Sequence, residues 1–289
     1  MLRFLVVTEG SILATGPGRV TIRLVSSGHR IWSSYAVEGF GEAYHAARPS
    51  PPDALLELLC RLARVARPRL VVDVGSGTGL SSRAWADRAE EVVGVEPNPE
   101  MRAAAGANTP SPNVRYVEGY SDATGLPAGS ADLVTYSQAL HWMDPQPTFA
   151  EAVRILRPGG VFAAYDYELP PAVDWEVDAA FEYFLLRVGK FRRERLSIAP
   201  AEKAGHVPRM RASGLFRYVR ELGMSAEDSA SAERVVGLAL SLGPVGRLLD
   251  EGLTEEEIGL AGLREAAARV LGDREVTWTL AYRVRFGVV

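Results

Sequence analysis

Cysteine is nearly absent: Cys60 is the only one in 289 residues. That excludes an intramolecular disulfide framework and any iron–sulfur cluster held by three or four thiolates, and with it radical chemistry on such a cluster. Long apolar runs are missing too. No stretch reaches the length that spans a bilayer, and the apolar opening at Met1–Val7 is broken by Thr8, Glu9 and Gly10 before it could serve as a secretory core. The expectation is a cytoplasmic protein without a membrane partner. Nor is there a block of like charge. The 32 Lys and Arg stand against 36 Asp and Glu, for a net charge of −4, and the dense group Arg192, Arg193 and Arg195 is interrupted by Glu194. This speaks against a nucleic-acid partner and for a solvated helix face.

What remains is an ordinary globular composition, 47% hydrophobic and 24% charged, able to bury a sizeable core. The chain reads in four parts. Residues 1–35 form an N-terminal extension in which 2–7 and 19–25, rich in β-branched and large apolar residues, flank the turn residues Gly16, Pro17 and Gly18 as a β-hairpin. Its use is open between a homodimer contact, a flap and a segment upstream of the real domain. Residues 36–172 carry a helix from Pro52 to Pro68, then strands at 70–74, 92–95, 114–117, 132–136 and 161–165. Helices near 79–89, 99–106 and 146–156 alternate with these strands. Continuously apolar strands alternating with helices mean a mostly parallel α/β sheet covered on both faces. The rhythm changes at 173–213 to a helical cap insertion carrying Trp175, Phe181, Tyr183 and Phe184. Residues 214–289 return to the sheet with a strand at 216–222, two or three helices over 229–271 and a final strand at 276–288.

The chemistry-bearing segment is Val71-Val72-Asp73-Val74-Gly75-Ser76-Gly77-Thr78-Gly79, with three glycines at alternate positions between a buried strand and a helix. A dinucleotide loop places its third glycine three residues after the second, where a pyrophosphate meets the helix; here that position is Leu80. Gly75 and Gly77 can take positive φ and let backbone approach a ligand closely, which suits a cofactor without phosphate. Glu96 ends the second strand, Val92–Val95, where a carboxylate can accept both hydroxyls of a ribose. A bare strand-to-helix turn would explain the glycines alone but not their pairing with Glu96.

These residues, with Val95-Glu96-Pro97-Asn98, Leu126-Pro127 and Arg157-Pro158-Gly159-Gly160, resemble a class I S-adenosylmethionine-dependent methyltransferase, in particular the small-molecule branch called methyltransferase type 11. The likeness covers about residues 40–168 well and 1–35 not at all. It implies a Rossmann-like seven-stranded sheet of order 3-2-1-4-5-7-6 with the last strand antiparallel. It also implies S-adenosyl-L-methionine as cofactor, S-adenosyl-L-homocysteine as product, and methyl transfer to O, N or C of a small-molecule metabolite. By the same resemblance Gly75 and Gly77 line the methionine portion, and Asp73 organises the loop and bonds towards the cofactor's amino group. Glu96 holds the ribose, Pro97 and Met101 pack on the adenine, Ser121 and Asp122 meet its amino edge, and Ser137 joins the cofactor site. Tyr44 and Arg48, in the Tyr-x-x-x-Arg-Pro segment 44–49, close over its carboxylate. Tyr120 departs from the small or acidic residue usual after Gly119, which weakens the adenine end; Met101 fits a core role equally well.

The loop after the fourth strand, Ser137-Gln138-Ala139-Leu140-His141-Trp142, is where such a fold brings acceptor and methyl together. His141 is the first candidate base, since imidazole can take a proton near neutrality; a wall for the cofactor pocket is the alternative for His141 and Trp142. Tyr165 is a second candidate, with Tyr167 beside it and His206 in the cap. Trp142, Tyr167, Trp175, Phe181 and Phe184 are expected to line the acceptor pocket, although the cap aromatics suit a helix core or dimer face as well. The loop lacks the Asn-Pro-Pro-aromatic run of enzymes acting on nucleobase amines or glutamine. No Asp, Glu and His cluster stands out as a divalent metal site, and although Asp144, Asp166 and Glu168 keep one open, no metal is expected. Three rival functions remain: non-methylating, cyclase-type chemistry on the same cofactor domain, a binding protein with a vestigial site, and a dehydrogenase on the related dinucleotide fold, which Leu80 disfavours.

Overall fold

The computed structural model describes residues 47–196 and 203–289; the N-terminal hairpin, Tyr44 and the segment 197–202 lie outside them. Helix α1 (Asp53–Leu62) precedes β1 (Leu70–Val74), α2 (Leu80–Ala84), β2 (Glu91–Val95), α3 (Pro99–Ala107), β3 (Val114–Val117) and β4 (Ala131–Ser137). A 3₁₀ turn at Leu140–Trp142 leads to α4 (Pro145–Ile155), β5 (Leu156–Tyr167), α5 (Trp175–Arg195), α6 (His206–Ala212) and β6 (Tyr218–Ala230). Helices α7 (Ala232–Leu240), α8 (Gly243–Asp250) and α9 (Leu260–Leu271) then precede β7 (Val276–Val288). The seven strands form one sheet in the order β3-β2-β1-β4-β5-β7-β6. Pairing is parallel from β3 to β5, and β7 runs antiparallel to both β5 and β6. Order and direction agree with what the resemblance implies. The strands that differ are β5, which starts at Leu156, and β6, which runs on to Ala230 in a long ribbon with β7.

Because successive strand residues point to opposite faces, each strand feeds two cores. Val71, Leu133, Val161, Ala163, Trp278 and Leu280 pack on one side with α1 and the long α5; Val72, Val134, Tyr136, Phe162, Ala164 and Met210 pack on the other. Phe162 is braced edge-on by Phe149 and tilted against Tyr136 and Phe216.

The 173–213 region does not behave as one cap. Helix α5 packs against α8 and α9, while α6 lies on the opposite face with α4 and β6. Phe181 and Phe184 are almost fully enclosed and meet edge to face in the α5 core. Trp175 is 77% exposed on the outer side of the same helix. The expectation that these three line an acceptor pocket is therefore corrected: the helical period that marked an apolar stripe belongs to core packing, and Trp175 starts the helix outside it.

The Arg157-Pro158-Gly159-Gly160 segment acquires a structural reason. Asp132, 2% exposed at the start of β4, accepts the guanidinium of Arg157 and the backbone amides of Arg69 and Leu70. Arg157 also donates to the carbonyl of Ala63 at 3.0 Å. One buried carboxylate thus locks the entrances of β1, β4 and β5 to the end of α1, away from the opposite edge where the strands finish.

Candidate active site

At the carboxyl edge of the sheet the backbone turns sharply after β1. Gly75, Gly77 and Gly79 all adopt positive φ (72°, 55° and 81°), a region that costs an L-residue about 1–2 kcal/mol. Their surroundings differ. A Cβ on Gly79 would lie 2.1 Å from the Tyr116 hydroxyl and one on Gly94 2.4 Å from the Tyr116 ring, so both glycines make room for that side chain. A Cβ on Gly77 would meet nothing within 4 Å, leaving a bare backbone cradle.

Glu96 faces this cradle from the end of β2. Its Oε2 accepts the amide of Gly77 at 2.9 Å and its Oε1 the amide of Asn98 at 3.0 Å, so the carboxylate joins the β1 and β2 loops. Burial raises its pKa, opposed by those two amides and by Arg102. Each oxygen keeps a lone pair for a hydroxyl. Asn98 caps α3 through Oδ1, which accepts from the amides of Glu100 and Met101; Pro97 is half-buried and Met101 buried. On the next loop Ser121 accepts a hydrogen bond from Thr148 at 2.9 Å, and Asp122 is exposed.

Asp73 lies beneath the loop with no exposure. Ser82 donates to its Oδ2 at 2.7 Å, and Thr135 and Ser81 to its Oδ1 at 3.0 and 3.4 Å. Burial pushes its pKa up to about 6, against the pull of those hydroxyls. Its two oxygens thus hold together Ser81 and Ser82 of α2 and Thr135 of β4. Tyr165 completes the cage, its hydroxyl 2.6 Å from Ser81 Oγ, with Ser137 beside it. Burial and the Asp73 carboxylate raise the Tyr165 pKa well above the usual phenol range. Tyr165 is therefore a buried hydrogen-bonding group that resists ionisation, and it does not suit the role of base.

His141 is buried in the 3₁₀ turn after β4, tilted against Trp142, in a segment whose Ala139 and Met143 lie against Gly75. Its Nδ1 is 3.6 Å from Asp166 Oδ1 and has no hydrogen-bond partner. Burial, then the charge of Lys203, lower its pKa to about 3, so the imidazole is neutral near pH 7 and, with Lys203 in its present place, resists taking up a proton. Arg48 donates from Nε and Nη2 to Ser241 Oγ and O, at 3.0 and 2.9 Å, which ties the segment before α1 to the end of α7. It also lines a cleft of about 510 Å³ with Pro49, Leu80, Asp228, Arg234 and Tyr282. Tyr167, buried, meets Tyr282 edge-on near this cleft.

Sequence reasoning named Asp166 only in connection with a metal and missed Lys203 and Arg285; together the three surround His141 and His206. A signal existed for two of them: Asp166 and Arg285 are charges set inside otherwise apolar strands.

A phosphate-free nucleoside cofactor fits these residues. The Gly77 cradle is open, the Glu96 carboxylate lies directly against it on the Gly77 amide, and the loop hydroxyls Ser76 Oγ and Thr78 Oγ1 are buried without partners. Seven strands in this order, with a glycine cradle and an acidic β2 terminus, define the class I methyltransferase architecture.

Residues 72–164 match the family model described as a methyltransferase domain. An uncharacterized methyltransferase of Mycobacterium tuberculosis is 39% identical over 119 residues, 41% of this chain and 46% of the relative. A probable S-adenosylmethionine-dependent methyltransferase of Saccharomyces cerevisiae, CRG1, is 30% identical over 149 residues, 50% of this chain and 51% of the relative. The chain spans about half the length of these relatives. A solved structure from Anaeromyxobacter dehalogenans, provisionally assigned as a type II methyltransferase, shares 28% identity and a TM-score of 0.64, covering 83% of this chain and 97% of that one. The fold is that of the class I S-adenosylmethionine-dependent methyltransferases, and residues 72–164 match their methyltransferase domain.

Proposed function

We propose that this protein transfers the methyl group of S-adenosyl-L-methionine to O, N or C of a small molecule. The observation that carries the reading is the open backbone cradle at Gly77 held against the Glu96 carboxylate, with a neutral, buried histidine at the end of the neighbouring strand. The cofactor, when bound, supplies a methyl already activated by its sulfonium, so the protein's task is aim, desolvation and proton handling.

Gly75 and Gly77 bring backbone to the methionine portion, Glu96 holds the ribose hydroxyls, and Pro97 and Met101 flank the adenine. Arg48 and the Asp73-braced loop fix the carboxylate end. His141 accepts the proton of an acceptor that carries one; an acceptor without a proton needs only orientation. The half-buried Trp142 and the buried Tyr167 shield this region from water. Among the described residues no helix is long and apolar enough to cross a membrane.

The test is calorimetric titration with S-adenosylhomocysteine and with NADH, followed by a screen for homocysteine-nucleoside release from S-adenosylmethionine with candidate acceptors. Saturable binding of the first ligand alone, and a product heavier by one methyl, are expected. Saturable NADH binding would overturn the cofactor assignment, and a product of unchanged mass would overturn methyl transfer.

A further inference from the structure

Side chains of three separate elements converge on one carboxylate: His141, Lys203 from the 3₁₀ turn Lys203–Gly205, and Arg285 from β7. Asp166, 3% exposed near the end of β5, accepts Lys203 Nζ on Oδ1 at 3.0 Å and Arg285 Nη1 on Oδ2 at 2.6 Å. His141 Nδ1 waits 3.6 Å from the oxygen that Lys203 occupies. Arg285, 1% exposed, spends its Nε on Glu221 at 2.8 Å. Lys203 also donates to Gln138 Oε1 at 3.0 Å. Gln138 itself is held at a φ of 52°, with its amide on the Tyr165 carbonyl and its Nε2 on the Tyr167 carbonyl. Backbone strain maintained in this way is a property of sites more than of scaffolds.

Two buried nitrogens in this cluster have no hydrogen-bond partner: His141 Nδ1 and His206 Nε2, the latter in a residue with no exposure. Buried polar atoms are nearly always satisfied, so such a pair marks a place where another group belongs. The charges acting on the two imidazoles are Lys203, Arg48, Arg285 and Arg209 against Asp166, with Glu221 further off on Arg285. A surplus of cations around neutral rings disfavours imidazolium and favours an anion. Of the cations, Arg285 is fixed within the sheet by two carboxylates, whereas Lys203, one-third exposed, is a compact charge on a flexible stem that can turn to a new partner.

Resting on the methyl-transfer reading of this site, we propose that the acceptor carries a carboxylate group, which Lys203 binds beside His141 and His206. As Lys203 engages that carboxylate, Asp166 Oδ1 is released to accept the Nδ1 proton of His141. That contact orients the ring and makes its other nitrogen a better base. Acceptor binding and base activation are thereby one event, and Lys203 is the acceptor-binding residue that links them.

The test uses the full chain loaded with S-adenosylhomocysteine. Acetate, benzoate and glutarate are titrated by calorimetry beside their neutral methyl esters, with the parent, Lys203→Met and Lys203→Arg. The expected result is saturable binding of at least one acid, weakened about tenfold or more in Lys203→Met and largely restored in Lys203→Arg, with the esters bound poorly by all three. Esters binding as well as acids, no saturable binding of any acid, or equal affinity of parent and Lys203→Met would overturn the proposal. Melting curves verify that Lys203→Met folds. Cofactor affinity is read separately: a parent that binds no S-adenosylhomocysteine would defeat the methyltransferase reading itself, whereas intact cofactor binding with no acid preference would defeat only the carboxylate assignment.

Discussion

Glu96 Oε2 accepts the amide hydrogen of Gly77 across the carboxyl edge of the sheet, at 2.9 Å. The residue expected to hold the ribose thus also sets the position of the backbone expected to hold the methionine portion.

Removing this carboxylate should act twice. Glu96→Ala is expected to weaken S-adenosylhomocysteine binding by about 1–3 kcal/mol through lost charged hydrogen bonds. Glu96→Gln, which keeps an acceptor oxygen for one amide, should lose less. Calorimetry on both variants checks the order, and unchanged affinity in Glu96→Ala would refute the ribose assignment.

The loop glycines should separate binding from folding. Gly77→Ala has open space for its Cβ, so its stability cost is the backbone strain of about 1–2 kcal/mol, while its methyl group intrudes on the cofactor. Gly79→Ala collides with the Tyr116 hydroxyl at 2.1 Å and should destabilise the fold more. Urea melts alongside cofactor titrations test this; a larger stability loss at 77 than at 79 would contradict the packing described.

Two histidines and Asp73 should pull the pH dependence of stability in opposite directions. His141 and His206 have pKa values lowered to about 3 and about 4 from 6.5, in both cases chiefly by burial. Between roughly pH 6.5 and 4 the unfolded chain binds protons that the native histidines refuse, so stability falls with falling pH, by up to about 1 kcal/mol per pH unit for each ring. Asp73, raised to about 6, binds its proton first in the native state and adds stability as pH falls from about 6 to 4. Urea melts across pH 7.5 to 4.5 should therefore show a shallower acid loss in His206→Gln than in the parent, and a steeper one in Asp73→Asn. Parallel curves for all three would exclude the linkage.

At the opposite edge, Asp132→Ala should strand the Arg157 guanidinium and the amides of Arg69 and Leu70, for a loss of about 3–5 kcal/mol. Because this lock lies away from the cradle, the variant that still folds at low temperature should bind S-adenosylhomocysteine normally. A melting shift of only a degree or two would show that the pair contributes little.

Most of the sheet was legible because its strands are continuously apolar and its loops carry glycine where backbone must turn. Val71–Val74 and Val92–Val95 announce burial on both faces, and the alternate glycines with Glu96 mark the cofactor edge. The acceptor side was not legible for a different reason. Trp175, Phe181 and Phe184 share a helix, and periodicity reports an apolar stripe without saying whether core or cavity lies opposite. Tyr165 lies near the end of β5, yet its hydroxyl turns to Ser81. Asp166, Lys203 and Arg285 come from a strand, a 3₁₀ turn and an antiparallel strand far apart in sequence, so only the β5–β7 register and the placement of the turn bring them together.

The two cations on Asp166 differ in what they can be asked to do. Arg285 is threaded into the sheet and answers to both β5 and β6, so a replacement there must satisfy the architecture before it can satisfy a ligand. Lys203 stands outside the sheet and answers to side chains alone. A library aimed at new acceptors therefore gains the most by randomising 203 first and leaving 285 untouched.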